Sequence, residues 1–219
     1  GRYIHGEGRY LNYGVNASYA HSPKYGLGIA TSSAKVSSIN HIRNWWFLDA
    51  HANTSRVRKD ITDDTNSNLS IVTSKVFEPS DSIYSEASFG INRYFAESYN
   101  QNQVLFGYKT IHANSVYSAF NLTVGDAVEN QLATKFALSA QLVTQLMNKP
   151  LKLSASYSQA DGGMLLGFER RDETYNISVS YPLWRGLTAS VGYRTTDSTI
   201  DYFDVSTPTF DIQFSSYNF

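Results

Sequence analysis

Apolar and polar residues take turns at every second position along this chain, in one segment after another. A two-residue period suits one kind of backbone, the pleated strand, whose successive side chains point to opposite faces. Leu11, Tyr13, Val15, Ala17 and Tyr19 alternate with Asn12, Gly14, Asn16 and Ser18. Leu132, Thr134, Phe136, Leu138, Ala140 and Leu142 follow the same rule, as do Tyr175, Ile177, Val179 and Tyr181. A strand of this kind lies between two media. Repeated over segments of about ten residues with short turns between them, it is the pattern that lipid on one side and water on the other impose on a membrane-spanning β-barrel.

After a turn at His21 to Lys24, which contains Pro23, the chain resumes with Tyr25, Leu27 and Ile29 opposite Gly26, Gly28 and Ala30, closing a first hairpin. Further strands are expected near 41–59, 66–78, 83–96, 103–111, 115–125, 131–146, 150–160, 172–183, 187–199 and 208–219, about twelve in all. That number is even, as in bacterial outer-membrane barrels. The turns Met147 to Pro150 and Pro182 to Gly186 are short and suit the periplasmic side. The segments 125–131, 160–172 and 197–208 read as longer external loops. Residues 126–147, rich in Ala, Leu and Gln, also admit a helical drawing, but the alternation from Leu132 to Leu142 favours a strand.

Composition fits this frame. The chain is 42% hydrophobic, yet its mean hydropathy is -0.33, because Ser, Thr, Asn and Gly dilute the apolar residues. No stretch approaches the roughly 18 consecutive apolar residues of a spanning helix, so any crossing is made by strands. The 16 Tyr, 12 Phe and 3 Trp suit rings placed at the two membrane interfaces. With 18 basic and 19 acidic residues, the chain lacks the positive field that nucleic acid requires. The absence of cysteine excludes disulfides, thiolate metal sites and cysteine catalysis. Gly1 to Tyr10 is polar and has no apolar signal core, which points to a mature or trimmed chain.

Polar side chains on the face away from lipid are the candidates for chemistry. If Ile42, Trp46, Leu48 and Ala50 face lipid, then Arg43, Asp49, His51, Asn53 and Ser55 face a lumen. Glu86, Lys135, Lys152 and Arg194 fall on the corresponding faces of their strands, and their mixed signs give a pore little preference between anions and cations. Asp49 and His51, two apart on one face, are placed as an acid–base pair needs, but no G-x-S-x-G or H-E-x-x-H motif accompanies them. His5, His21, His41, His51 and His112 lack ligand spacing, so no metal is expected. Gly6, Gly8, Gly26 and Gly28 sit in a strand pattern with no helix following and do not form a phosphate loop. Asn121-Leu122-Thr123 formally matches a glycosylation acceptor, which has no meaning in a bacterial setting.

The final segment ends on Tyr217 and Phe219, and in this the chain resembles the outer-membrane β-barrel superfamily, whose last strand closes on Phe. Phe210, Ile212 and Phe214 run one residue out of phase with that pair, so a bulge near Ser215 and Ser216 is expected. The run from Tyr193 to Asp204 is also similar to the last hairpin of barrels of surface lipoprotein assembly modulators. The superfamily resemblance implies an all-β fold, a closed antiparallel up-and-down transmembrane barrel of about 12 strands, formed by one domain over 1–219 in a Gram-negative outer membrane.

The function expected from this is a narrow pore for passive passage of small hydrophilic solutes. Two alternatives stay open: a non-conducting barrel that anchors or exports periplasmic or surface protein partners, and a barrel hydrolase using Asp49 and His51. Outer-membrane lipid and lipopolysaccharide are the expected surroundings, and no cofactor is expected.

Overall fold

The computed structural model describes residues 2–4, 9–22, 27–59, 63–112, 115–184 and 186–214. Among them it forms thirteen strands: β1 (Arg2–Ile4), β2 (Arg9–Ser22), β3 (Leu27–Arg43), β4 (Trp46–Lys59), β5 (Asp63–Ser80), β6 (Ile83–Ala96), β7 (Asn100–His112), β8 (Tyr117–Gly125), β9 (Ala133–Leu146), β10 (Lys149–Leu165), β11 (Phe168–Trp184), β12 (Leu187–Ser198) and β13 (Val205–Phe214). A single 3₁₀ turn, Asp201–Phe203, lies between β12 and β13. The strands are hydrogen-bonded in their order along the sequence, with antiparallel registers from β1 to β5 and from β8 to β13. The chain gathers into two compact units, Gly1–Lys75 with Ser88–Leu105 and Val76–Ala87 with Phe106–Phe219.

The registers convert the sequence alternation into rows that cross the strands. In the second unit Leu142, Leu153, Val179, Val191 and Phe210 face one another in turn across β9 to β13. One residue along, the row is Gln141, Ser154, Ser178, Gly192 and Thr209. The first row lies on an apolar face and the second on a polar face. The first unit repeats this arrangement: Tyr13, Val36, Ala52 and Leu69 form one row, and Asn12, Ser37, His51 and Ser70 the next. The apolar rows are not packed away, since Val191 is 58% and Phe210 69% exposed. The polar rows are crowded instead. A Cβ added to Gly192 would come within 2.7 Å of both the Ile177 carbonyl and the Thr209 hydroxyl.

Aromatic rings mark both ends of the apolar face. At the end bearing segment 126–132, Tyr157 packs against Phe136 at 6.0 Å and Tyr175 at 4.9 Å between centroids. At the other end Trp184 is exposed, and Lys149 lies 5.8 Å over the Tyr181 ring while donating to the Leu183 carbonyl at 2.6 Å. Lys75 lies over Trp46 in the same way at 5.3 Å. From Tyr175 to Trp184 the strand covers about 30 Å at the usual rise, the length of an apolar band about 25 Å tall once the strand is tilted.

Several boundaries differ from the sequence reading. Residues 41–59 form two strands, because Asn44 and Trp45 take the left-handed region (φ 50° and 63°) and turn the chain between β3 and β4. β3 runs on from Leu27 to Arg43 through the small, low-contrast residues Thr31 to Ser38. The loops drawn at 160–172 and 197–208 shrink: β10 and β11 meet in a tight turn at Leu166 and Gly167 (φ 50° and 86°), and only residues 199–204 separate β12 from β13. Tyr217, Phe219 and the bulge expected near Ser215 lie outside the described residues, as do His5, Gly6, Gly8 and Gly26.

The register can be checked through Ser180 and Ser190, whose hydroxyls are 2.8 Å apart across β11 and β12. In this cysteine-free chain a Ser180→Cys, Ser190→Cys double variant should oxidise readily to a disulfide. A slip of one residue would put the thiols on opposite faces, and both would then remain free to alkylating reagent.

Candidate functional site

Most of the polar side chains that could do chemistry lie on the polar face. In the first unit, Asp49, His51 and Asn53 follow one another on one face of β4, with Ile39, Ser37 and Lys35 opposite on β3 and Val72, Ser70 and Asn68 on β5. Arg43 is placed differently from the expectation. The register shift beside His41 pairs it with Trp46, so it takes the Trp46 side of the sheet and is separated from Asp49. Farther along in the same unit, Asn92 donates to Gln103 at 2.8 Å and Gln103 to Gln101 at 2.9 Å, a short chain of amides in which Gln101 is buried.

In the second unit opposite charges meet across strands. Lys109 pairs with Glu86 at 3.2 Å, and Lys135 with Asp161 at 3.3 Å. These groups are a third to a half exposed, so each pair contributes at most about 1 kcal/mol, and their main effect is to cancel charge along the face. Lys152, opposite Val143 and Ser180, and Arg194, opposite Asn176 and Thr207, have no ion-pair partner among the described residues. Hydroxyl pairs fill the space between them, Thr174 with Thr196 at 3.0 Å and Ser180 with Ser190 at 2.8 Å.

The most completely built cluster involves residues absent from the sequence candidates. Arg170 grips Asp172 with two hydrogen bonds, Nε to Oδ1 at 2.9 Å and a terminal nitrogen to Oδ2 at 2.6 Å, a fork geometry that neutral pairs cannot match. Ser198, directly opposite Asp172, donates a third bond to Oδ1 at 2.7 Å. Its backbone N–H donates to Asp204 at 2.7 Å. The Arg170 guanidinium carbon also lies over the Phe203 ring, 3.5 Å from its centre. The spacing Arg170-x-Asp172 was a usable signal, but it fell within a segment read as loop.

Asp172 lies three residues beyond Tyr175, outside the apolar band. The Arg170 hydrogen bonds, helped by Ser198, hold its carboxyl below the ordinary 3.8 against the opposing effect of burial. A carboxyl whose folded-state value is depressed stabilises the fold above its unfolded value, and that stability is lost as pH falls through the lower, folded value. Asp172→Asn should therefore be less stable than the parent at pH 7, by about 1–3 kcal/mol, and the difference should shrink as pH falls below 3.8. Melting of both proteins across roughly pH 2–7, from about two units below the ordinary carboxyl value to about three above it, would register this. A gap that is independent of pH would contradict it.

No family model matches the sequence, and no curated protein matches it. Among solved structures the chain is similar to the KdgM porin in complex with disordered oligogalacturonate, at 10% identity over 95% of this chain and 98% of that one with a TM-score of 0.42. It is similar to the KdgM porin alone at the same identity and coverage with a TM-score of 0.39. It is also similar to Pseudomonas aeruginosa OccK10, at 10% identity over 97% of each chain with a TM-score of 0.34.

Proposed function

We propose that this chain resides in a Gram-negative outer membrane, its sheet closed into a barrel of twelve long strands with the apolar face against lipid. The polar face then surrounds a narrow aqueous lumen through which small hydrophilic solutes pass passively. The lack of a dry core carries this reading. Among the described residues the buried apolar ones are Ala119, Val128 and Ala133, while Tyr13, Val15, Phe89, Ile91, Ile177 and Val191 stand exposed. The accessible surface is 15263 Å², against roughly 10,000 Å² for a soluble monomer of this mass. In water such a face costs free energy in proportion to its area, whereas in hydrocarbon it costs none.

Strand lengths support the same reading. β2 to β13 have between 9 and 18 residues, enough for a tilted crossing of about 9–11. Twelve strands lie between the filled eight-stranded barrels and the open channels of roughly 16–18 strands, which makes the lumen narrow. Paired charges on the polar face, with Lys152, Arg194 and Asp211 interspersed, favour a wet passage of weak charge preference.

Purified protein added to planar bilayers should give discrete conductance steps, and unboiled samples should migrate anomalously on denaturing gels, as closed barrels do. A correctly migrating protein that never conducts would overturn the pore. It would leave the non-conducting anchor, whose periplasmic or surface partners should then co-purify. Extraction without detergent would overturn the membrane placement itself.

A further inference from the structure

Two segments at one rim do not project away from the sheet but fold onto its polar face. Gly163 stands opposite Arg170 in the register, and a Cβ on Gly163 would lie 3.3 Å from the Cβ of Arg170 and 3.2 Å from that of Leu132. Leu132 thus sits over β10 on the side of the sheet to which Arg170 points. Beside it Val128 is buried, and its carbonyl occupies the space a side chain at Gly162 would need. Gly162 has φ 90°, a conformation open to glycine with little strain. The second segment, 199–204, brings Phe203 onto the guanidinium of Arg170.

The second segment is tied down by hydrogen bonds. Asp204 accepts from the Ser198 N–H, and Ser198 donates to Asp172. Thr199 accepts from the Arg171 N–H at 3.0 Å and donates to the Glu169 carbonyl at 2.9 Å, while its own N–H donates to the Arg171 carbonyl at 2.9 Å. Such a bonding pattern belongs to a fixed element, because every movement of the turn breaks several bonds at once.

Resting on the pore reading above, we infer that segments 126–132 and 199–204 form a built-in constriction of the lumen at this rim, with Leu132 and Phe203 as the narrowing side chains, the first segment packed on Gly162 and Gly163 and the second anchored on Arg170–Asp172. Solute size is then limited at the mouth.

The experiment uses the full chain in planar bilayers, with anomalous gel migration as the check on folding. A Leu132→Ala, Phe203→Ala double variant leaves the anchor intact and should give larger conductance steps than the parent, and Phe203→Ala alone an intermediate rise. Gly163→Cys with Leu132→Cys should cross-link spontaneously, and the oxidised and reduced forms should give equal steps, as expected of a fixed element. If the parent conducts and the alanine variants match it, or if reduction of the cross-link enlarges the step, the constriction is overturned while the pore stands. A parent that never conducts overturns both.

Discussion

A single-layered sheet has to find a medium for each of its faces. Here the backbone is satisfied strand to strand along the registers, and the side chains are sorted by the pleat into rows of opposite character. Leu142, Leu153, Val179, Val191 and Phe210 lie on one side, with Gln141, Ser154, Ser178, Gly192 and Thr209 a single residue away on the other. In a soluble sandwich a second layer would cover the first set. Among the described residues that cover is missing, and in the proposed membrane placement hydrocarbon supplies it. The rings at each end of the apolar band and the lysines lying over Trp46 and Tyr181 suit a boundary between an apolar medium and water.

On the other face the problem is reversed. Charged groups on one face repel or attract over short distances, and the pairs Lys109–Glu86, Lys135–Asp161 and Arg170–Asp172 set opposite charges against each other there. Only the last is well shielded and forked, and it joins the segment 199–204 to the sheet. The rigidity of the rim is thus concentrated in one carboxylate that accepts from Arg170 and Ser198 together. Small residues do the complementary work: Gly162 and Gly163 leave room for the folded-in segment, and Gly192 lets β11 and β13 crowd the same row.

Much of this was legible in the sequence because alternation reports directly on the two faces. The strand expected at 83–96 coincides with β6 (Ile83–Ala96), and the strand 187–199 overshoots β12 by one residue. The same signal fades where both faces carry small residues, as from Thr31 to Ser38 within β3. It also misleads where polar residues continue a strand past the apolar band, as from Asp172 back to Phe168. A turn without glycine or proline, such as Asn44-Trp45, leaves little trace, and missing it placed Arg43 on the wrong side of the sheet. Pairings between distant segments, among them Arg170 with Phe203, are set by register and bulges and have no local signature.

Which face meets lipid is most directly measured at two adjacent positions on β11. Single cysteines at Ser178 and Val179, introduced into the otherwise cysteine-free chain and reconstituted in bilayers, can be probed with a membrane-impermeant thiol reagent and, after fluorescent labelling, with a lipid-borne quencher. The account predicts that Ser178→Cys reacts from water and is not quenched, while Val179→Cys resists the aqueous reagent and is quenched from the lipid. Equal aqueous reactivity at both positions, or the reverse assignment, would contradict it.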